Sequence, residues 1–312
     1  MRAQRIPASV IAAVLILAIA ACSSSPKPAA PVTRAPPASA DDPSSSMVVG
    51  VYEPYAPGSY WQIGAFAAAV GQWPKIVSYY GNWGMPFQSV FAEQAWGHGG
   101  ETLVQIHPRA VSLGAIASGQ YDNYLRAYAS AVRNFGHQII ISFGQEMNGD
   151  WYQWGTGRTA PATFIAAWRH IVDIFRVDGT RNVTWLWDVN CSFPHSSPIS
   201  QWWPGASYVS WVGVDCYYAH SSDTFDSLFG STIDDARHIT SDPILIAETA
   251  AGPVAGPSKI ADLFNGARND HVLGIVWFDQ AQNDGISHQN WRLEDRPTAL
   301  AAFRQALAAL TN

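Results

Sequence analysis

The chain has 312 residues and a formal charge of −6, from 18 Lys and Arg against 24 Asp and Glu, a balance that argues against a nucleic-acid partner. Hydrophobic residues make up 48% of it, enough to bury a large core and to exclude wholesale disorder. Charged residues are only 13%, while 14 Trp, 12 Tyr and 13 Phe bring the aromatics to 12%, a surplus that calls for a use.

Residues 1–21 read as a secretory signal peptide: Arg2 and Arg5 come first, an apolar run starts at Val10, and small residues end it. The run is short for a transmembrane span. Cys22, after Ile19, Ala20 and Ala21, resembles the lipobox cysteine of bacterial lipoproteins, which is lipidated and becomes the mature N-terminus. The expected location is therefore outside the cytoplasm, lipid-anchored to the cell membrane through Cys22, or secreted if that cysteine stays free. No other membrane contact is expected. Residues 1–21 hold two Arg and no acid, so their removal takes the charge from −6 to −8. Residues 22–46 carry the cysteine and then mostly Ser, Pro and Ala, a composition that cannot bury apolar area and serves as a tether. Two further cysteines, Cys191 and Cys216, are either a disulfide or two buried thiols.

From Met47 to Asn312 short β-rich runs alternate with helix-length segments. The runs are Met47 to Glu53, Ile76 to Trp83, Glu101 to His107, Gln138 to Glu146, Val183 to Asn190, Tyr208 to Tyr217, Pro243 to Thr249, and Val272 to Asp279. Most are nearly continuous apolar stretches, such as Ile139 to Phe143 or Ile244 to Ala247, as in parallel strands buried on both faces. Between them, Tyr121 to Phe135 puts Tyr124, Leu125, Tyr128, Val132 and Phe135 on one helical face and stops at Gly136. Pro161 to Val177 does the same with Phe164, Trp168, Ile171, Ile174 and Phe175, with Thr159 as a candidate cap. Between strands five and six, Pro194, Pro198 and Pro204 argue against a full helix. Eight such repeats predict an α/β fold, one single-domain (β/α)8 TIM barrel over residues 47–312.

In such a barrel the chemistry sits where strands run out into their following loops. The polar residues there are Glu53, His107, Glu146, Asp188, Asp215, Glu248 and Asp279. Glu146 and Glu248 stand out because each ends an almost wholly apolar run, where a carboxylate is costly without a task. Two opposed carboxylates flanked by aromatic rings suit glycoside hydrolysis, one protonating the leaving oxygen and the other attacking or activating water. Trp151 and Trp154, in the loop after Glu146, are candidate sugar platforms, and Asn148 a candidate partner for a sugar hydroxyl. Trp185 and Trp187 alternate with Leu186 inside a strand, so at least one belongs to the core. Gly-rich phosphate loops, nucleophile elbows and zincin motifs are lacking, and the nine His show no tight ligand spacing, so neither a cofactor nor a metal is expected.

The stretch from Gln145 through Gly155, Gln-Glu-Met-Asn-Gly-Asp-Trp-Tyr-Gln-Trp-Gly, resembles the His-Glu-Met-Asn-Gly and Trp-Tyr-Pro-Trp-Gly motif of the family 26 glycoside hydrolases. The resemblance extends to Trp211 through Tyr217, to Glu248 and to Trp277. It implies a retaining mechanism with Glu146 as general acid/base and Glu248 as nucleophile. Retention implies carboxyls roughly 5 to 5.5 Å apart, with Glu146 protonated in the free enzyme. Tyr217 matches the family tyrosine that donates to the nucleophile; Asn148, Trp151, Trp154 and Trp277 are then expected around the sugar, with His107 either touching substrate or satisfied by a loop carbonyl. Two positions depart from the pattern: Gln145 stands where the family has histidine, and Ser142 where it commonly has arginine.

Family members act mainly on β-1,4-mannan, others on mixed-linkage β-glucan or β-1,3-xylan, and mannan is the expected substrate, with internal cleavage. Epimeric sugars are told apart by the groups that touch their hydroxyls, such as the side chain at Gln145, so the two departures bear directly on that choice. The chain is expected to act as a monomer. The competing class is a tethered barrel that binds polysaccharide without cleaving it, against which both glutamates are intact.

Overall fold

A computed structural model describes residues 47–193, 196–281 and 289–310. The expected signal segment, Cys22 with its expected lipidation, and the expected linker to residue 46 lie outside the described residues.

Eight parallel strands close into a barrel in chain order. They are β1 (Val48–Tyr52), β2 (Ile76–Asn82), β3 (Glu101–His107), β4 (Ile139–Phe143), β5 (Val183–Asn190), β6 (Trp211–Asp215), β7 (Ile244–Thr249) and β8 (Gly274–Phe278). Closure is made by β1 on β8, with Val48 opposite Gly274 and Tyr52 opposite Phe278. The helices outside are α1 (Trp61–Val70), α2 (Ser89–Gly97), α3 (Leu113–Ala117), α4 (Asp122–Phe135), α5 (Pro161–Val177), α6 (Ser231–Ile239), α7 (Ser258–Asn269) and α8 (Pro297–Ala308). Between β5 and β6 the described residues carry only a single turn of 3-10 helix, Ile199–Trp202, in keeping with the prolines there.

Helix α4 shows why these segments fold as they do. Leu125, Tyr128, Ala129, Val132 and Phe135 recur at helical spacing and are all buried, and Gly136 ends the helix at φ 78°, donating to the Arg133 carbonyl. In α5 the predicted face of Phe164, Trp168, Ile171, Ile174 and Phe175 is buried. The ring of Trp168, 1% exposed, would cost about 3–5 kcal/mol to truncate to alanine. Pro161 opens α5, while Thr159 is spent outside it, donating to the Gln153 carbonyl at 2.9 Å rather than capping.

The lumen is filled in layers. Ile76, Leu103, Ile140, Leu186, Leu245, Ala247 and Val276 form an apolar floor, one or two residues from each of six strands. Two residues further along, the period-2 alternation turns polar, bringing Ser78, Gln105, Ser142 and Asp188 inward, all at or below 1% exposure. On β6 the inward position is Gly213, where a Cβ would meet Asp188 Oδ1 at 2.3 Å, so the Asp188 carboxylate fits only because that side chain is absent. Trp185 and Trp187 both point away from the lumen into the core, Trp185 onto Trp168 and Phe175, and Trp187 onto Trp203.

Six of the predicted strands are longer than the observed ones, β4 and β6 by the most. β4 ends at Phe143, not Glu146, because Gly144 at φ 59° breaks the extended run, and β6 is confined to Trp211–Asp215.

Candidate active site

The site forms above the polar layer, at the C-terminal ends of the strands. After β4 the chain turns sharply. Glu146 sits at φ 55°, a left-handed conformation that costs a non-glycine residue of order 1–3 kcal/mol and persists only when its surroundings over-determine it. They do so here: Glu146 N donates to the Asp188 carbonyl at 2.9 Å, and the Glu146 carbonyl accepts from Gly149 N at 3.0 Å. The turn aims the carboxylate into the mouth, where Oε2 accepts from Trp151 Nε1 at 2.9 Å and Oε1 accepts from Asn190 Nδ2. On the facing side, an irregularity in the β6–β7 and β7–β8 registers around Glu248 interrupts the alternation of β7 and re-aims that side chain. Glu248 Oε1 accepts from the Tyr80 hydroxyl, and Oε2 accepts from the Tyr217 hydroxyl at 2.7 Å.

Glu146 and Glu248 are 8% and 7% exposed, so both charges are largely stripped of water. Burial first, and then the negative charge of Glu248, push the Glu146 carboxyl up to about 7, against the pull of the Asn190 and Trp151 donors. Burial also raises Glu248, but three donors, Tyr80, Tyr217 and Gln105, oppose it and favour the anion. Both phenols are themselves pushed well above 10 by burial and by the Glu248 charge, so they remain donors. The pair is therefore polarised: burial and the Glu248 charge favour the protonated form of Glu146, while the donors on Glu248 favour its anion.

Asn148 does not face a sugar. It is fully buried, its amide donating to the Asn190 carbonyl at 2.8 Å and its Oδ1 accepting from Asn190 N at 2.9 Å, so it positions Asn190. Trp154 is 2% exposed, donates from Nε1 to the Gln145 carbonyl and stacks under Tyr152 at 4.3 Å, which makes it a supporting ring rather than a platform. Trp277 points out of the barrel onto Phe303 of α8, with Nε1 donating to Asp279 Oδ1 and to the Trp291 carbonyl. Of the rings expected to meet substrate, Trp151 is at the surface of the mouth, 37% exposed and stacked on Phe193 at 5.2 Å.

His107 and Gln145 meet each other: the Gln145 amide donates to His107 Nε2, and Gln145 Oε1 is buried without a hydrogen-bond partner among the described residues. Burial, with a smaller contribution from Arg109, lowers His107 to about 3, so its imidazole is neutral at working pH. Ser142, in place of the family arginine, is wholly buried, and its hydroxyl likewise has no partner there. Asp188 and Asp215, in the layer below the glutamates, are fully buried and raised well above the usual range, by burial before all else.

Cys191 and Cys216 are joined by a disulfide that links the chain just past β5 to the chain just past β6. Tyr80 and Asn190 belong to the site although they were not singled out from the sequence. Both lie in the inward register of their strands, Tyr80 four residues after Ile76 and Asn190 four after Leu186, and that spacing is the signal that would have found them.

Residues 101–257 match the sequence profile of glycosyl hydrolase family 26. Endoglucanase H of Acetivibrio thermocellus is 30% identical over 284 residues, which is 85% of this chain and 31% of that protein. Mannan endo-1,4-beta-mannosidase A and B of Caldalkalibacillus mannanilyticus is 28% identical over 94 residues, 28% of this chain and 18% of that protein. The chain thus spans about a third or less of the length of these curated relatives. A family 26 β-mannanase structure from Bacteroides ovatus superposes with a TM-score of 0.65 at 14% identity, over 85% of this chain and 89% of that one, a likeness of fold.

Proposed function

The chain belongs to glycosyl hydrolase family 26, and from that premise we propose that it cleaves the β-1,4-linked backbone of a mannan-type polysaccharide internally, with retention, using Glu146 and Glu248. The observation that carries this reading is the polarised pair: one buried glutamate near pKa 7 held by Asn190 and Trp151, the other clamped by two phenols.

In the first step the Glu248 carboxylate attacks the anomeric carbon while Glu146 gives its proton to the departing glycosidic oxygen, leaving a glycosyl ester on Glu248. Esterification removes the Glu248 charge. The second-largest cause of the raised Glu146 pKa then disappears, so Glu146, already deprotonated, becomes a better-stabilised carboxylate. In the second step it takes a proton from water as that water attacks the anomeric carbon, which restores both groups. Tyr217 and Tyr80 hold Glu248 in line and release part of their hydrogen bonding to the ester oxygen. Trp151, exposed at the mouth beside Glu146, offers a ring face to a pyranose.

A β-glucan backbone is the second reading. It is favoured by the relative that aligns with most of this chain, which carries the name endoglucanase. The N-terminal leader and Cys22 support a lipid-anchored enzyme outside the cytoplasm.

The test is reducing-sugar release from mannan, galactomannan, mixed-linkage β-glucan and β-1,3-xylan, beside the Glu146→Ala and Glu248→Ala variants. Release from mannan that both variants lose supports the first reading, and release from glucan alone the second. A wild-type protein that binds one of these polymers and releases nothing would make it a surface receptor instead.

A further inference from the structure

Away from the two catalytic glutamates, a second group of carboxylates converges. Glu53 follows β1 and Asp279 follows β8, the two strands that close the barrel, and Glu294 comes from the segment leading into α8. One oxygen from each of the three lies within 4.8 Å of the others. Glu53 is 1% exposed, and neither of its oxygens has a hydrogen-bond partner among the described residues. Asp279 is wholly buried. Its Oδ1 accepts from Leu293 N at 2.8 Å and from Trp277 Nε1 at 3.1 Å, which fixes the carboxylate and leaves Oδ2 without a hydrogen-bond partner among the described residues. Glu294 Oε2 likewise accepts no hydrogen bond among the described residues, and Arg292 Nη2 stands off at 4.0 Å.

Among the described residues, carboxyl groups outnumber guanidiniums here. The acidic groups are Glu53, Asp279, Glu294 and Asp295; the basic ones are Arg292, shared between Glu294 and Asp295 at 4.0 and 3.9 Å, and Arg296, whose guanidinium donates to the carbonyls of Ala251, Trp291 and Arg292. With protein groups alone, burial and the neighbouring Asp279 and Glu294 charges push the Glu53 carboxyl up to about 10.

We propose that Glu53, Asp279 and Glu294 bind a divalent cation, and that the ion is Ca2+. The donors are all oxygens, which suit a hard cation, and ligands held at 2.3–2.6 Å from Ca2+ stand at most about 5 Å apart, as these do. One such ion would let Glu53 and Asp279 stand side by side as carboxylates. Its position also gives it work: it ties the ends of β1 and β8 to the segment carrying Trp291. The Trp291 ring packs 5.1 Å from that of Tyr217, the donor to Glu248. This inference does not depend on the substrate.

The experiment uses the full chain, stripped with EDTA and titrated with CaCl2 by calorimetry, with thermal unfolding followed in parallel and MgCl2 as the control. The expected result is one Ca2+ per chain and a Tm raised by roughly 5–10 °C at a hundredfold excess over Kd. Glu294→Gln is the mild variant, since Glu294 is 21% exposed and its loss should leave the fold intact. It should bind Ca2+ at least about tenfold more weakly, as should Glu53→Gln. A stripped wild type that takes up no Ca2+ and whose Tm is unmoved by it would overturn the proposal. So would Glu294→Gln and Glu53→Gln proteins that bind Ca2+ as tightly as the wild type.

Discussion

Asn148 and Asn190 are locked to each other through both ends of the Asn148 amide, at 2.8 and 2.9 Å, and Asn190 in turn donates to Glu146. The contact reaches across from the turn after β4 to the end of β5. It makes Asn148 a positioning residue and Asn190 the group that tunes the acid.

The first prediction follows. The Asn190 bond favours the carboxylate form of Glu146, so Asn190→Ala should move the alkaline limb of the kcat/KM profile upward while lowering kcat. A lost hydrogen bond to a charged group is worth about 1.5–3 kcal/mol, or roughly 10- to 100-fold. Asn148→Ala should shift the profile in the same direction by freeing Asn190. A pH profile unchanged in both variants would show that Asn190 does not touch the acid.

The acid itself sets pH dependence in two opposite senses. Glu146 must be protonated to act, so activity should fall as pH rises through about 7. Its folded pKa lies above the ordinary 4.5, so the native state holds a proton that the unfolded chain gives up. Stability is therefore unaffected below about 4.5, declines as pH rises toward 7, and is lowered by of order 3 kcal/mol above that. Glu146→Gln should abolish turnover of natural substrate yet be more stable than the wild type at pH 8, with the difference vanishing near pH 4. Denaturant unfolding at the two pH values measures it, and equal stability at pH 8 would contradict the raised pKa.

The barrel was legible because its strands are buried on both faces and appear as continuous apolar runs, with α4 and α5 marked by helical spacing. The same property hid the orientation of single side chains. A run without polar alternation does not say which residues turn inward, and Trp277, expected at the site from the family resemblance, packs outside the barrel on Phe303. Trp154 misled for a related reason: a loop position suggests exposure, but this loop folds back and buries the ring against Tyr152. Glu146 and Glu248 were legible as carboxylates out of place. The partners that tune them come from β2, β3, the loop after β4, β5 and the chain just past β6, and the triad of Glu53, Asp279 and Glu294 comes from the ends of β1 and β8 and the segment before α8, brought together by closure of the barrel.

The Cys191–Cys216 bridge gives a third prediction. It closes a 25-residue separation, and loop-closure entropy assigns such a crosslink about 3.5 kcal/mol. Reduction, or the Cys191→Ser/Cys216→Ser pair, should lower Tm by roughly 10 °C. It should also weaken catalysis in the folded protein, since Cys191 adjoins Asn190 and Cys216 adjoins Tyr217. An unchanged Tm after verified reduction would mean that the backbone bonds from Cys191 N to the Asp215 carbonyl and from Cys216 N to the Glu248 carbonyl suffice.

Trp151 carries two functions that substitution can separate. Its indole N–H donates to Glu146, and its exposed ring face lies at the mouth against Phe193. Trp151→Phe removes the donor and keeps an aromatic face. Its alkaline limb should move upward, because the lost bond favoured the charged acid, and KM should change little. Trp151→Ala removes both, and loss of the stacked pyranose should raise KM by roughly 2- to 10-fold, from a contact of about 0.5–1.5 kcal/mol. Were KM to rise equally in both variants, the N–H rather than the ring face would be what substrate binding uses. If neither variant changed KM, the sugar would bind elsewhere in the mouth, and Trp151 would serve the acid alone.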